Sequence, residues 1–381
     1  MNIGFSDHFS WARFKALFIK EFIQMRRDRA TFAMMAGVPL MQLLLFGFAI
    51  NMDPKGLPTA VDIADDGVYA RSIVSALENS SYFRIVRMVH SPAEADELLD
   101  KGDVAFAVSI PPDFSRNLVR GTKPQILIEA DASDPAAASN ALGALSVLAT
   151  SALKDDLVGA LAAKGGEPPF EIVVHRRYNP DAITAYNIVP GLLAIILTMT
   201  MVPITSIAMT RERERGTLEN LLAMPAHPFE VMLAKIIPFV FVGYIQVILV
   251  LLGAKFIFGV PMIGSMLLLF GTIGVFIAAS LAVGFTFSTF AQNQLQAMQM
   301  SVFFLLPSIL LSGFAFPFRG MPGWAQAIGE ILPATHFLRM VRGILLKGNG
   351  LAEIWPNLWP LFIFLLVAGT IALLRYRRTL D

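Results

Sequence analysis

The chain of 381 residues is 55% hydrophobic and only 15% charged, and its mean hydropathy is +0.61. This composition excludes an ordinary water-soluble globular protein, and the lack of cysteine excludes disulfides and thiolate metal sites. The formal net charge of +1 conceals two regions of opposite sign, because residues 53–177 contain 18 acidic and 12 basic residues, whereas the remainder contains 11 acidic and 18 basic ones.

Residues 1–29 predict an amphipathic helix in the plane of the membrane interface, on the cytoplasmic side. Its apolar face carries Trp11, Phe14, Phe18, Phe22 and Met25. The helix is either a basic anchor that orients the next segment or an element that tilts with a partner, and the pattern favours the anchor. Because charges recur throughout, the segment is not expected to be a cleavable signal peptide. A first membrane-spanning helix is predicted over the uncharged residues 30–52.

Residues 53–180 predict a mixed α/β domain with one hydrophobic core. Short β-branched segments predict strands at 60–64, 83–89, 104–110, 125–129 and 171–175. The segments between them predict helices at 68–77, 92–99, 113–119 and 135–163. The ends of the strands carry Asp65, Asp66, Asp131 and Asp134. Aspartates in this position usually form turns and helix caps, which we favour over a divalent-ion site, so no metal ligand is predicted.

Residues 181–381 predict a bundle of five further spans. Uncharged runs cover 182–210, 236–254 and 354–374, each long enough to cross a bilayer once. The uncharged run 256–318 is about three times too long for one crossing, so it must fold back, at residues 259–261 and at the amide-rich 292–299. The predicted spans therefore lie near residues 31–50, 184–209, 236–258, 263–290, 298–317 and 355–374, and the fold class is a polytopic α-helical membrane protein with six transmembrane helices.

Arginines next to three of these spans predict the orientation, since basic residues favour the cytoplasmic side. They are Arg26, Arg27 and Arg29, then Arg211, Arg213 and Arg215, and finally Arg375, Arg377 and Arg378. With six spans all three groups lie on one side, so both termini are expected to be cytoplasmic and residues 53–180 extracytoplasmic. Segment 319–350 is basic yet external in this topology. We therefore expect it to be re-entrant rather than an ordinary loop.

Two further groups of residues are candidates for function. In the re-entrant segment these are Pro333, His336, Arg339 and Arg342, where Pro333 would separate two short helices and His336 is expected to be a hydrogen-bonded interfacial residue. Amide side chains in or next to the spans are helix contacts or polar groups of a substrate pathway, and they are Gln42, Gln246, Gln292, Gln296 and Gln299. The fourth span also carries Gly264, Gly271, Gly274 and Gly284, which are expected to permit close helix packing.

The sequence contains none of the common enzyme motifs. It has no G-x-x-x-x-G-K-[ST] phosphate loop, no H-E-x-x-H zinc motif and no G-x-S-x-G nucleophile motif. The chain is therefore expected to have no catalytic residue, to bind no cofactor itself and to have no nucleic-acid partner.

The chain resembles the permease subunit of a type-2 bacterial ABC exporter, in the subgroup that has a large extracytoplasmic domain between the first two spans. The resemblance covers essentially the whole chain. Its most specific part is the motif Glu212-Arg213-Glu214-Arg215-Gly216-Thr217-Leu218-Glu219-Asn220-Leu221-Leu222 with Pro225 shortly after. A looser part is Leu332-Pro333-Ala334-Thr335-His336 with Arg342-Gly343 and Gly348, where His336 stands in place of the Tyr of many relatives.

This resemblance implies an inner-membrane subunit that works as a dimer with a second copy or a paralogue and exports hydrophobic or amphipathic compounds. It also implies a separate cytoplasmic ATPase that holds ATP and Mg, and often a periplasmic adaptor protein. Segment 210–228 would then be a coupling helix. In it Glu212 and Glu214 would pair with the ATPase, Gly216 would permit the sharp turn before Thr217, and an apolar groove would receive Leu218, Leu221 and Leu222.

Alternatives remain for the motif and for the whole chain. The charges of residues 211–215 would also fit a self-paired cluster that only obeys the positive-inside rule. The chain would also fit an outward-facing sensor or assembly scaffold, although five spans exceed what anchoring needs. An ion-coupled secondary transporter is a third class, but it would normally place ionisable residues within its spans.

Overall fold

The computed structural model of the protein describes residues 54–157, 168–214 and 228–378. The predicted interfacial helix 1–29 and the first predicted span 30–52 lie outside these residues. Most of the predicted coupling helix, residues 215–227, also lies outside them.

One five-stranded sheet forms the centre of the mixed α/β region. Its strands are β1 Leu57–Ile63, β2 Phe83–Val89, β3 Phe106–Ile110, β4 Gln125–Asp131 and β5 Glu171–Arg177. The order across the sheet is β2-β1-β3-β4-β5, and β1 is parallel to both of its neighbours. Strand β4 runs antiparallel to β3 and parallel to β5. All five predicted strands are confirmed, with ends that differ by three residues at most.

Four helices accompany the sheet: α1 Val68–Asn79, α2 Pro92–Lys101, α3 Phe114–Val119 and α4 Pro135–Ser151. Helix α2 has strong local signals, because Ser91 caps its first turn and the left-handed Gly102 ends it. Helix α4 ends at Ser151, short of the predicted end at residue 163. Residues 152–156 form turns, and residues 158–163 lie outside the described part of the chain.

Aromatic side chains form the centre of this domain's core. Phe83 and Phe106 meet edge to face with ring centroids 5.1 Å apart, and Phe114 and Phe170 do the same at 5.8 Å. All four side chains are buried. The core therefore joins the two edges of the sheet to the helices that cover it.

Among the described residues, five helices are long and apolar enough to cross a membrane: α5 Thr184–Glu214, α6 Pro228–Phe256, α7 Met266–Phe290, α8 Gln294–Leu311 and, after a segment described below, α11 Leu351–Arg378. They correspond to the second to sixth predicted spans. In the apolar stretch of α5 and in that of α7, 56% of the residues are buried, whereas the share is 22% in α6 and in α11. The bundle is thus centred on α5 and α7, and the membrane-spanning parts of α6 and α11 are less buried.

Hydroxyl groups within the bundle bond to backbone carbonyls and to neighbouring helices. The hydroxyl of Thr286 in α7 donates to Ala282 O in its own helix and lies 3.1 Å from Ala368 O of α11. Between α5 and α6, the hydroxyl of Thr200 lies 2.9 Å from Gln246 Oε1. These bonds satisfy polar groups where water is scarce and fix the helices against each other.

Glycines allow α7 to approach its neighbours closely. A Cβ atom at Gly284 would lie 2.4 Å from the carbonyl oxygen of Val202 in α5, and one at Gly274 would lie 2.4 Å from the hydroxyl of Tyr244 in α6. Just before α7, Gly264 faces the carbonyl oxygen of Ile344 at the same distance. The packing role predicted for these three glycines is confirmed. A Cβ atom at Gly271 would have no described atom of a neighbouring element within 4 Å.

A methyl group added at the α5–α7 crossing is expected to destabilise the protein. Gly284→Ala would force the backbones of α5 and α7 apart, and overpacking of this kind lowers the free energy of unfolding by about 1–3 kcal/mol. Gly271→Ala on the same helix is the matched control and should be close to neutral. Melting temperatures of the two purified variants in detergent test this. Equal stability would contradict the close crossing.

Candidate functional site

The segment between α8 and α11 consists of short helices. A 3-10 turn at Phe318–Gly320 precedes α9 Gly323–Gly329, and α10 Pro333–Arg342 continues into a π-helical turn at Gly343–Lys347. Pro333 occupies the first turn of α10, where its missing N–H has no intrahelical partner to lose. The prediction of two short helices separated by Pro333 is confirmed.

Helix α10 is buried against the centre of the bundle. The ring of Phe337 stacks on Phe276 of α7 with centroids 4.1 Å apart. The hydroxyl of Thr335 donates to Gly329 O at 2.6 Å, which ties α10 to the end of α9. One apolar face of α10 and of the π-helical turn that follows it is buried throughout, and it comprises Phe337, Met340, Val341, Ile344 and Leu345. Helix α10 is therefore packed directly against α7 and joined to the end of α9.

His336 and Arg339 fasten the exposed end of α9 to α10. The Nε2 atom of His336 donates to Glu330 O at 2.8 Å, and its Nδ1 atom lies 3.2 Å from Asn357 Oδ1. Arg339 makes a bidentate pair with the Glu330 carboxylate at 2.7 and 3.1 Å, and its guanidinium lies 4.5 Å from the centroid of the Phe318 ring. His336 is thus hydrogen-bonded, as predicted, and each of its ring nitrogens has a partner.

The principal contact between the sheet domain and this segment is an ion pair between Lys347 and Asp131. The ammonium of Lys347 lies 2.7 Å from Asp131 Oδ2 and 2.8 Å from Leu99 O, and it sits 4.7 Å from the centroid of the Tyr178 ring. The Lys347 side chain is only 7% exposed and that of Asp131 only 15%. The pair is therefore largely removed from water.

The surroundings of Asp131 favour its charged form. Burial alone would raise the pKa of this carboxyl, but the ammonium of Lys347 and hydrogen bonds from Ser133 outweigh burial and hold the pKa below its ordinary value. The Ser133 bonds are those of an aspartate turn, as predicted for Asp131. Sequence reasoning missed its partner Lys347. The one signal was that Lys347 lies on the external side against the positive-inside rule.

Further hydrogen bonds surround this ion pair. Asn349 donates to Asp100 O at 3.0 Å, and Arg319 donates to Gly102 O at 2.5 Å. Asn187, in the first turn of α5, donates to Asp134 Oδ1 at 3.1 Å. The loop after α2 and the end of β4 are therefore bonded to the segment between α8 and α11, and the start of α5 is bonded to the loop after β4. We call these residues the junction (residues 99–103, 131–134, 187, 319 and 342–349).

Glu214 connects the opposite end of α5 to α8. Its carboxylate accepts hydrogen bonds from the backbone N–H of Gln294, at 2.8 Å, and from the Gln294 side-chain amide. These bonds, that of the side chain first, lower the pKa of the exposed Glu214 carboxyl and keep it ionised. Of the other residues of the predicted coupling motif, Glu212 lies in the last turn of α5, and Gly216, Thr217, Leu218, Leu221 and Leu222 lie outside the described residues.

The amide cluster forms the turn between α7 and α8, as predicted, and caps α8. Asn293 accepts from Gln296 N at 2.8 Å, and the Gln296 side chain accepts from Gln292 N at 2.9 Å, an arrangement similar to a capping box. The side-chain oxygen of Gln299 is buried with no hydrogen-bond partner among the described residues. Gln246 bridges α6 to α5 as noted above, and Gln42 lies outside the described residues. A substrate-pathway role for these amides stays a prediction.

Removal of the Asp131 charge is expected to destabilise the junction. Asp131→Asn leaves the ammonium of Lys347 buried without its counter-charge, and such a change lowers the free energy of unfolding by about 3–5 kcal/mol. The control is Asp113→Asn, because the Asp113–Arg116 pair is exposed and its loss should change stability by less than about 1 kcal/mol.

The pH dependence of this effect has a definite sign. The folded-state pKa of Asp131 is lowered, so the ion pair's contribution is complete above the ordinary value of 3.8 and is lost as pH falls through the folded pKa. Melting temperatures of wild type and Asp131→Asn should therefore differ at neutral pH and converge below about pH 3.8. A constant difference across this range would contradict the assignment.

Comparison with known proteins identifies the family. The family described as ABC-2 family transporter protein matches residues 29–374. The chain is 31% identical over 347 residues to the Escherichia coli K12 protein named "Probable multidrug ABC transporter permease YbhS", covering 89% of this chain and 90% of that one. It is 29% identical over 366 residues to "Probable multidrug ABC transporter permease YbhR" of the same strain, covering 96% and 98%.

A third relative in that strain, "Inner membrane transport permease YhhJ", is 31% identical over 360 residues, covering 90% of this chain and 93% of that protein. These relatives are transport components rather than enzymes, and the family implies association with an ATP-binding subunit. With a family match over most of its length and multi-pass helices of the expected kind, this chain belongs to the ABC-2 family of transporter proteins.

Proposed function

We propose that this chain is the membrane-spanning subunit of an ABC exporter, that it forms the translocation pathway as a dimer, and that a separate cytoplasmic ATPase drives it. The cargo proposed is hydrophobic or amphipathic, in keeping with relatives named as multidrug permeases. ATP and Mg are assigned to the partner ATPase, since the sequence has no phosphate loop.

The observation that carries this proposal is the continuity of α5. Its 31 residues form one helix of about 46 Å. At one end Asn187 bonds to Asp134 of the junction, and at the other Glu214 bonds to Gln294 at the start of α8. A continuous helix of this length suits the transmission of force between an ATPase and the far side of a membrane.

The coupling motif would deliver that force to α5. Glu212 and Glu214 are proposed to pair with basic residues of the ATPase, with Gly216 and Thr217 forming the turn. The apolar contact with an ATPase groove is assigned to Leu218, Leu221 and Leu222. Gln294 orients the Glu214 carboxylate, so a displacement of Glu214 also pulls on α8.

The orientation proposed is an inner-membrane protein with both termini in the cytoplasm and residues 53–180 outside. The guanidinium of Arg375, at the end of α11, lies 5.0 Å from the centroid of the Phe290 ring at the end of α7. Gln294 follows Phe290 closely and contacts Glu214. The arginine-bearing ends of α5 and α11 therefore lie together, at the opposite end of the bundle from the sheet domain, and the positive-inside rule assigns them to the cytoplasm.

Three kinds of partner are proposed besides the ATPase. The exposed apolar faces of α6 and α11 suit contact with lipid and with a second permease copy or paralogue, because less than a quarter of the residues in the apolar stretch of each helix are buried. The edge strand β5 exposes Val173 and Val174, and this edge offers a surface for a periplasmic adaptor protein. In that case the adaptor would contact the part of the protein that the junction fastens to α5.

The two other function classes receive less support. In the candidate spans that the structure describes, charged side chains occur only near the ends, as Arg211, Lys255, Glu353 and Arg375. An ion-coupled secondary transporter would normally carry them near the middle. A sensor or scaffold would not require the close α5–α7 packing or the bond between Glu214 and Gln294.

Charge reversal at Glu214 is expected to uncouple the ATPase. Glu214→Lys repels basic partner residues and breaks both bonds to Gln294, so permease-dependent ATP hydrolysis in membranes should fall severalfold while membrane insertion is retained. Gln294→Ala keeps the charge and should give a smaller loss. Glu78→Lys on the exposed face of α1 is the control and should behave as wild type. Unchanged hydrolysis by Glu214→Lys would refute the coupling role.

Single cysteines test the orientation directly, because the natural chain has none. Ser146→Cys on the exposed face of α4 should react with a membrane-impermeant maleimide in intact spheroplasts. Gln292→Cys, exposed in the turn before α8, should react only after the membrane is opened. The reverse pattern would show the opposite orientation.

A further inference from the structure

A cavity of about 200 Å³ lies at the junction, between the sheet domain and the helices. Its lining includes charged side chains of both signs, among them Asp131, Asp134, Arg319, Arg342, Lys347 and Glu353. The space is sufficient for on the order of ten water molecules, and hence for a phosphate or carboxylate group. It is bounded on one side by Asn357 of α11, so it lies next to the end of a membrane span.

The acidic groups of this lining have partners of their own. Asp131 binds Lys347 and Ser133, and Asp134 accepts from Asn187 at 3.1 Å. Glu353 accepts from the backbone N–H of Gly350 at 2.8 Å, and Asp100 accepts from the hydroxyl of Tyr178. The negative charges of the cavity are thus already engaged.

The guanidinium of Arg342, in contrast, lacks a full set of partners. Its Nη1 atom donates to Gly313 O at 3.3 Å and lies 3.9 Å from Asp134 Oδ2, the outer limit of an ion pair. Its Nε and Nη2 atoms are buried and have no hydrogen-bond partner among the described residues. A buried guanidinium with two unused donors is costly unless a partner is supplied.

Arg319 presents a second incompletely matched guanidinium to the same cavity. Its hydrogen bond goes to the neutral carbonyl of Gly102, and no described carboxylate forms an ion pair with it. Burial is the main cause that lowers the pKa of Arg319, and the same holds for Arg342. Both shifts are what two desolvated cations show when their counter-charge is insufficient.

We propose that this cavity binds an oxyanion group, a phosphate or a carboxylate, between Arg319 and Arg342. Planar guanidinium groups bind both anions through paired N–H donors. Water would satisfy the free donors of Arg342 but would not neutralise the charge. The same chemistry is presented by the headgroup of an anionic phospholipid and by a free anionic solute, and the experiment separates these sources.

The test uses the full-length chain in nanodiscs and needs no ATPase. In zwitterionic lipid, inorganic phosphate is titrated at constant ionic strength. In a second series, phosphatidylglycerol replaces part of the zwitterionic lipid without added phosphate. A ligand that binds the folded state raises the melting temperature saturably, here by several degrees. Arg342→Gln should abolish the rise, and Arg116→Gln, an exposed arginine of the sheet domain, should keep it.

Each outcome decides the matter. A saturable rise with phosphate that Arg342→Gln abolishes supports a site for a free oxyanion, and a rise only with phosphatidylglycerol that Arg342→Gln abolishes supports a headgroup site. Should Arg342→Gln fail to fold, Arg319→Gln replaces it, and Arg342→Lys reports whether charge alone suffices. The proposal is overturned when neither series gives a saturable rise, or when the arginine variants respond as wild type does.

Discussion

The buried ion pair between Lys347 and Asp131 is the interaction on which the arrangement of the sheet domain and the helices depends. Each partner ends a regular element, since Asp131 closes β4 and Lys347 closes the π-helical turn after α10. Separation of the two charges would leave one of them buried and unpaired, which is far more costly than the loss of an exposed pair. The sheet domain and α10 are therefore expected to move together.

Packing extends this constraint through the bundle. Helix α10 stacks Phe337 on Phe276 of α7, and α7 meets α5 at Gly284, where no side chain separates the backbones. Tightly packed interiors transmit displacement rather than absorb it. A shift of α5 at Glu214 thus has two routes to the junction, one along its own axis to Asn187 and one across α7 to α10. Such a network suits a subunit driven from one face.

The regular elements follow from local pattern, and the contacts that join them do not. Strands such as Phe83–Val89 and the uncharged spans are recognisable because periodicity and length are properties of neighbouring residues. Helix α4 ends at Ser151, earlier than its alanine-rich sequence predicts, because helix propensity is only a weak guide to where a helix ends. Lys347 and Asp131 are 216 residues apart, and no local rule pairs them. The bond between Glu214 and Gln294 escaped prediction for the same reason.

Two buried cations of the junction have different surroundings, and this difference bears on the role of the junction. The ammonium of Lys347 lies 2.7 Å from the Asp131 carboxylate, and this close pairing suits a contact that stays formed. Among the described carboxylates only Asp134 lies within ion-pair distance of Arg342, at 3.9 Å, and two donor nitrogens of Arg342 have no partner in the described part of the chain. If rigidity were the only requirement, a second close carboxylate would neutralise Arg342 as Asp131 neutralises Lys347. A site left short of negative charge is instead suited to an anion that enters and leaves, and its position between the sheet domain and α11 would let such an anion alter the hold of the sheet domain on the helices.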